Sequence, residues 1–284
     1  MRTIEFKIKE TDSGKRIKDF LLSFGVSSSL LTKLKNTENG ITVNGIFART
    51  IDTVKTNDIL KINIENKGTM PPPSDAQVEV IYNDEDLIAL NKPPFMPVHE
   101  SRNHRGDALS NAAANYIEKD TAFRAVYRLD RDTSGIVLIA KNELAAAKLA
   151  GKISKDYYAV ASKDIGNSGT INAPIARESE SIIKRCVNEN GETAITHYEK
   201  IKSLKNGVLY KIKLETGRTH QIRVHFSHLG APLAGDTLYG TGSEIINRQA
   251  LHCKTISFIH PITEKKITLN SEFPKDIKLL LEMQ

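Results

Sequence analysis

The sequence predicts an α+β protein, with a mixed, mostly antiparallel β-sheet domain preceded by a small α/β module. Three observations carry that reading. Short apolar, β-branched runs recur along most of the chain without regular alternation with helices, which argues against a doubly wound sheet. Helical spacing of apolar residues is confined to a few places, clearest at Ile17, Phe20, Leu21 and Phe24. Between these regimes lies Pro71-Pro72-Pro73, and consecutive prolines continue neither a helix nor a sheet. The expected division is a small module over residues 1–68, a Pro-rich linker over 69–77 and a large domain over 78–284.

In the small module, Leu30, Leu31 and Leu34 suggest a second short helix, with Ser27-Ser28-Ser29 supplying its N-cap. Residues 41–45 read as a strand entering a tight turn and residues 58–62 as a further strand. In the large domain, strands are expected at 78–82 and 87–90, divided by the turn composition Asn83-Asp84-Glu85-Asp86. The continuously apolar run 136–140 reads as a core strand. Further strands are expected at 157–161, 194–201, 208–214, 220–226, 255–259 and 266–269, and helices at 108–118, 143–153 and 275–283. There is no internal repeat, and Gly14-Lys15-Arg16 lacks the spacing of a phosphate-binding loop.

Composition excludes several classes. Hydrophobic residues at 39% and charged residues at 26% of 284 are ordinary for a globular protein. No apolar run approaches the roughly 20 residues that span a bilayer, and the first residues have no apolar core of the signal-peptide kind. Two cysteines, Cys186 and Cys253, offer neither metal spacing nor a disulfide framework, so a reducing, cytoplasmic setting is expected. A monomer is the default. The net charge is +6, and residues 1–68 hold 12 Lys+Arg against 8 Asp+Glu. With Lys15, Arg16, Lys18, Lys33 and Lys35 on its helices, that module suits a polyanion.

Chemistry concentrates in three runs. Tyr127-Arg128-Leu129-Asp130-Arg131-Asp132-Thr133-Ser134-Gly135 places a carboxylate in a polar loop just ahead of the core strand. Flanked by Arg128 and Arg131, Asp130 is expected to stay ionised, which suits a nucleophile better than a general acid. In Gly217-Arg218-Thr219-His220-Gln221-Ile222-Arg223-Val224-His225, strand alternation puts Ile222, Val224 and Phe226 on the core face. Thr219, Gln221, Arg223 and His225 then share the polar face, where Arg223 needs an anion and Asp130 is the obvious one. In Lys155-Asp156-Tyr157-Tyr158, alternation lets only one ring face the polar side, there to stack on a base or transfer a proton. His220, His225, His228 and His252 with Cys253 match no common zinc spacing, and His99 and His104, in a polar loop, read as surface or polyanion-facing residues and not as metal ligands, so no metal is expected.

The helices and sheet of the small module, with Val43-Asn44-Gly45 and Asp58-Ile59-Leu60, resemble the S4-like RNA-binding domain. The three runs, with Asn91-Lys92-Pro93 and Gly235-Asp236-Thr237-Leu238-Tyr239-Gly240, resemble the RluA/RluD family of RNA pseudouridine synthases across almost the whole chain. That resemblance implies the pseudouridine synthase fold and the isomerisation of uridine, with Asp130 as the catalytic aspartate acting at C1′. It also implies that the base detaches, rotates and rejoins through C5. Arg223 would pair with Asp130, and Tyr157 would lie beside the base as a candidate to take the C5 proton. Arg128 would enter the RNA stack where the uridine leaves, extrusion being needed before the glycosidic bond is reachable. Leu129, Thr133, Arg218, His220 and Gln221 would surround the substrate, while Lys15, Arg16, Lys33 and Lys35 would bind RNA from the small module. No cofactor is implied. The partner would be RNA, ribosomal in first place and transfer RNA as the alternative. The family usually has His where this chain has Tyr127. A non-enzymatic assembly factor on this fold would be expected to lose Asp130 or Arg223, and both are present. A carboxylate glycosidase would need a second acid, and the three runs offer no evident one.

Overall fold

The computed structural model describes residues 1–179 and 183–282. Alternating apolar residues at Ile4 and Phe6, and at Leu60, Ile62 and Ile64, bury one face of a separate four-stranded sheet. Its order is Arg2–Lys7, Ile59–Ile64, Ile41–Val43, Ile46–Phe47, antiparallel throughout. Helices Ile17–Phe24 and Ser28–Asn36 close the core with Ile17, Leu21, Leu31 and Leu34. Ser27 caps the second helix, its Oγ accepting from the Leu30 N–H at 3.1 Å. The turn after Val43 uses positive φ at both Asn44 and Gly45, as a two-residue hairpin of the favoured hand requires.

The small module is seated on the large one. Leu144, fully buried, belongs to the small module's core, and the Lys148 ammonium lies 3.6 Å from the Phe24 ring centroid. Arg2 makes a bidentate pair with buried Asp86, both bonds 2.9 Å, and Lys33 pairs with Glu143. The expected linker is strapped down too: Asn111 Nδ2 donates to the Pro72 carbonyl and Asn115 Nδ2 to that of Ser74, both at 2.8 Å.

The large domain is a ten-stranded sheet. Eight strands run Ser168–Asn172, Ile195–Leu204, Gly207–Leu214, Ser154–Ala161, Leu251–Ile259, Ser134–Ala140, Leu87–Lys92, Glu79–Asn83, and off that path Lys266–Asn270 pairs with Leu251–Ile259 and Arg124–Ala125 with Ser134–Ala140. The mixed, mostly antiparallel character is as expected: among the described residues only Leu251–Ile259 with Ser134–Ala140 is a parallel pair. Every residue of Ser134–Ala140 is buried. At its start Gly135 has φ +120°, and a Cβ there would lie 2.3 Å from the Cys253 carbonyl oxygen, so only glycine permits this approach.

Three expectations fail, the simplest being the helix expected at 143–153, which ends at Leu149 ahead of the strand Ser154–Ala161. The strand expected at 220–226 is the helix Gln221–His228. Five alternating residues fit either period; what decides is tertiary, since Ile222 and Phe226 lie one helical turn apart in the main core. There the Phe226 ring meets those of Tyr198 and Tyr210 at 6.1 and 5.6 Å. The helix expected at 108–118 stops at Ala113, where Asn115 turns its side chain to backbone carbonyls instead. The C-terminal helix spans Lys275–Glu282, and Met283 lies outside the described residues.

Candidate active site

A cleft of about 610 Å³ opens on the large sheet, lined among others by Arg128, Leu129, Asp130, Thr133, Tyr157, Arg218, His220, Gln221 and Arg223. The sequence runs containing them are thus brought together.

Asp130 stands on the loop before Ser134–Ala140, and that loop is held from beneath. Lys92, completely buried, donates from Nζ to the carbonyls of Pro93, Met96 and Arg131 at 2.8, 2.8 and 2.7 Å. Burial pulls the Lys92 pKa down to about 7, yet three carbonyl acceptors call for the three protons of the ammonium form. Arg248 Nη1 donates to the Asp132 carbonyl at 3.1 Å, and Gln249 Nε2 to Thr133 Oγ1 at 3.1 Å. Thr133 is therefore buried and occupied in holding the loop. The flanking arginines do not hold Asp130: Arg131 is paired with Asp132, and Arg128 is exposed at the cleft.

The cation nearest Asp130 comes from the helix Gln221–His228. Arg223 Nη1 lies 3.5 Å from Asp130 Oδ2, but Nε and Nη2 form a tighter bidentate pair with Asp236, at 2.7 and 2.9 Å. Asp236 is fully buried and also accepts from the backbone N–H groups of Leu238 and Tyr239. The expectation that Asp130 is the obvious anion for Arg223 is thereby corrected: Asp236 anchors the guanidinium and Asp130 meets its remaining edge. Sequence reading singled out Gly235-Asp236 without a role. The signal was there, since a buried mid-helix arginine needs a carboxylate, and Gly235 at φ +75° allows the turn that delivers one.

His220 precedes the helix at φ +58° and lies with Nε2 3.9 Å from Asp130 Oδ2. Its Nδ1 is 2.8 Å from the Tyr239 hydroxyl, which also accepts from the Arg185 N–H. Burial lowers the His220 pKa, the Asp130 carboxylate opposing it only in part, which keeps the ring neutral.

Tyr157 lines the cleft, whereas Tyr158 faces away onto the Phe273 ring at 5.5 Å. Burial first, then the Cys253 thiol and Asp130, hold the Tyr157 pKa well above its ordinary value. The group is a neutral phenol. Tyr127 donates its hydroxyl to the Ile136 carbonyl at 2.8 Å and ties the loop to the core strand.

Other expected contacts fall elsewhere. Gln221 is buried and its amide is engaged by Thr216, the Arg218 N–H, Ile195 and Thr196, so it shapes the cleft wall instead of meeting a substrate. His225 bonds Thr196 and the Ala173 carbonyl on the same inner side, not beside Arg223. Arg218 lines the cleft while paired with Glu192. On the small module, Arg16 and Lys35 are exposed, but Lys15 is paired with Asp12 and Lys33 with Glu143. One described grouping has metal-like composition, Asp84, Asp86 and His260. Arg2 and Asn142 occupy Asp86, and His260 is spent on Asp84 and the N–H groups of Ile262 and Thr263, so it reads as a structural knot.

Residues 86–228, which supply almost all of this cleft, match the family model described as RNA pseudouridylate synthase. The chain belongs to that family. It is similar to the uncharacterized RNA pseudouridine synthase YjbO of Bacillus subtilis, 35% identical over 278 residues, covering 94% of this chain and 98% of the relative. It is also 36% identical to the ribosomal large subunit pseudouridine synthase D of Zymomonas mobilis, over 74% of each chain. The human RNA pseudouridylate synthase domain containing 1 superposes with a TM-score of 0.59 at 25% identity, covering 72% of this chain and 87% of that one. As an RNA pseudouridine synthase, this chain is an isomerase whose substrate is RNA.

Proposed function

We propose that this synthase isomerises uridines of large-subunit ribosomal RNA, with Asp130 acting at the ribose of a uridine drawn into the cleft. The observation that carries it is the unequal treatment of two carboxylates by Arg223. Asp236 takes the bidentate grip, while Asp130, 27% exposed, keeps its oxygens toward the cleft with a cation and a neutral imidazole alongside. Such a carboxylate stays available to attack C1′ or to take the C2′ proton. Tyr157, whose site disfavours the phenolate, packs against the base from the cleft wall. Arg128 fills the gap left by the extruded nucleotide, a role supported by its exposure in the cleft lining. Ribosomal RNA is favoured by the names of the large-subunit relatives, and the exposed Arg16, Lys18 and Lys35 supply phosphate contacts from the S4-like module.

The test maps pseudouridines by carbodiimide labelling and primer extension in cells with and without the gene. Sites in large-subunit RNA that vanish, and return with wild type but not with Asp130→Ala, are the expected result. Lost sites confined to transfer RNA would overturn the substrate assignment and keep the chemistry. Deuterium at C2′ separates the two acts of Asp130: a primary isotope effect means proton removal, and its absence means attack at C1′.

A further inference from the structure

Six described residues other than glycine have positive φ: Asn39, Asn44, Asn57, Phe95, His220 and Glu264. Asparagine tolerates this conformation, and His220 belongs to the cleft. Phe95, at φ +63°, is the one large apolar side chain among them. It follows Pro94 in a turn, the order of a type II turn whose third position favours Gly or Asn. A phenylalanine there is strained, and burial does not compensate it, since the ring is 47% exposed.

The turn is nevertheless fixed rigidly beside the site. Lys92 Nζ holds the carbonyls on both sides of Phe95, those of Pro93 and Met96, and the same nitrogen holds the Arg131 carbonyl next to Asp130. Two residues on, Pro97 begins the cleft wall. Arg128 stands exposed in the lining of the same cleft, while Arg131 is paired with Asp132.

We infer that Phe95 is a base-stacking subsite, its ring taking a nucleobase of the RNA that flanks the uridine in the cleft. The inference rests on the RNA reading above. An exposed aromatic face two residues from the cleft wall, with Arg128 in the same cleft, offers the combination that single-stranded nucleic acid uses, a phosphate to arginine and a base to the ring. The pinned backbone spares the entropy of ordering the turn on binding.

The test uses the full chain with Phe95→Asn, which accepts the turn but lacks the ring, and Phe95→Trp, which keeps a stacking face. Tritium release from RNA labelled at uridine C5 gives kcat and KM, and thermal melting gives Tm. Phe95→Asn should raise KM about tenfold, equivalent to about 1.4 kcal/mol and within the range for one stacked base. Its kcat should stay within about twofold and its Tm should rise by about 2–4 °C as strain is released. Phe95→Trp should keep the wild-type KM. A KM unchanged in Phe95→Asn, with active wild type, overturns the stacking role alone, and so does a ring-dependent self-association without a KM effect. A wild type that converts no uridine in any RNA overturns the parent reading and this one together.

Discussion

Arg223 faces two carboxylates, and they differ in what surrounds them. Asp236 is fully buried, takes two guanidinium bonds and accepts two backbone N–H groups. Asp130 meets the same guanidinium at 3.5 Å from a loop open to the cleft. Low-dielectric burial makes the first pair rigid and costly to break, while partial exposure leaves the second free to react. One arginine therefore belongs at once to the scaffold and to the chemistry, and the division can be tested from both ends.

The largest effect should come from Asp130→Ala. Turnover should fall by about 10⁴-fold or more, with RNA affinity changed less than about threefold and stability nearly unchanged. Tritium release and filter binding measure the two; residual turnover above a tenth of wild type would remove Asp130 from its role. Asp236→Ala should show the opposite profile. Leaving the buried guanidinium half-paired should cost about 3–5 kcal/mol in urea unfolding, with whatever activity survives following the folded fraction and the displaced arginine.

Arg223→Lys sharpens the contrast, because a point charge cannot serve both carboxylates as a planar fork does. Turnover should fall by about 10²-fold with a smaller loss of stability than in Asp236→Ala; the reverse order would mean that the arginine is chiefly structural. The last prediction leaves the cleft and concerns pH and a buried histidine behind the loop. His252 lies between Ser134 Oγ and Ser271 Oγ at 2.9 and 3.0 Å, and burial lowers its pKa to about 3. The unfolded chain binds that proton near 6.5 and the folded chain only near 3, so this contribution is complete above 6.5 and is lost as pH falls between the two. At pH 4 the loss should be about 3 kcal/mol, and His252→Gln should flatten the acid limb of stability.

The sequence by itself determined the elements whose pattern is local. The apolar run 136–140, the Ser27 cap and the alternating burial of Ile59–Ile64 needed no partner to be read. It also determined which residues could do chemistry, since Asp130, Tyr157 and Arg223 are reactive or charged types set against apolar runs, and all three line one cleft. Tertiary structure decided whether Ile222, Val224 and Phe226 were strand or helix, because only docking against Tyr198 and Tyr210 separates two periods over so short a run. It decided that Asp236 holds Arg223 and that Lys92 pins three carbonyls from distant segments. And it decided that the small module shares Leu144 with its neighbour in place of hanging from a proline spacer. Local patterns encode which face of an element is apolar; which distant group satisfies a buried charge depends on the assembled chain.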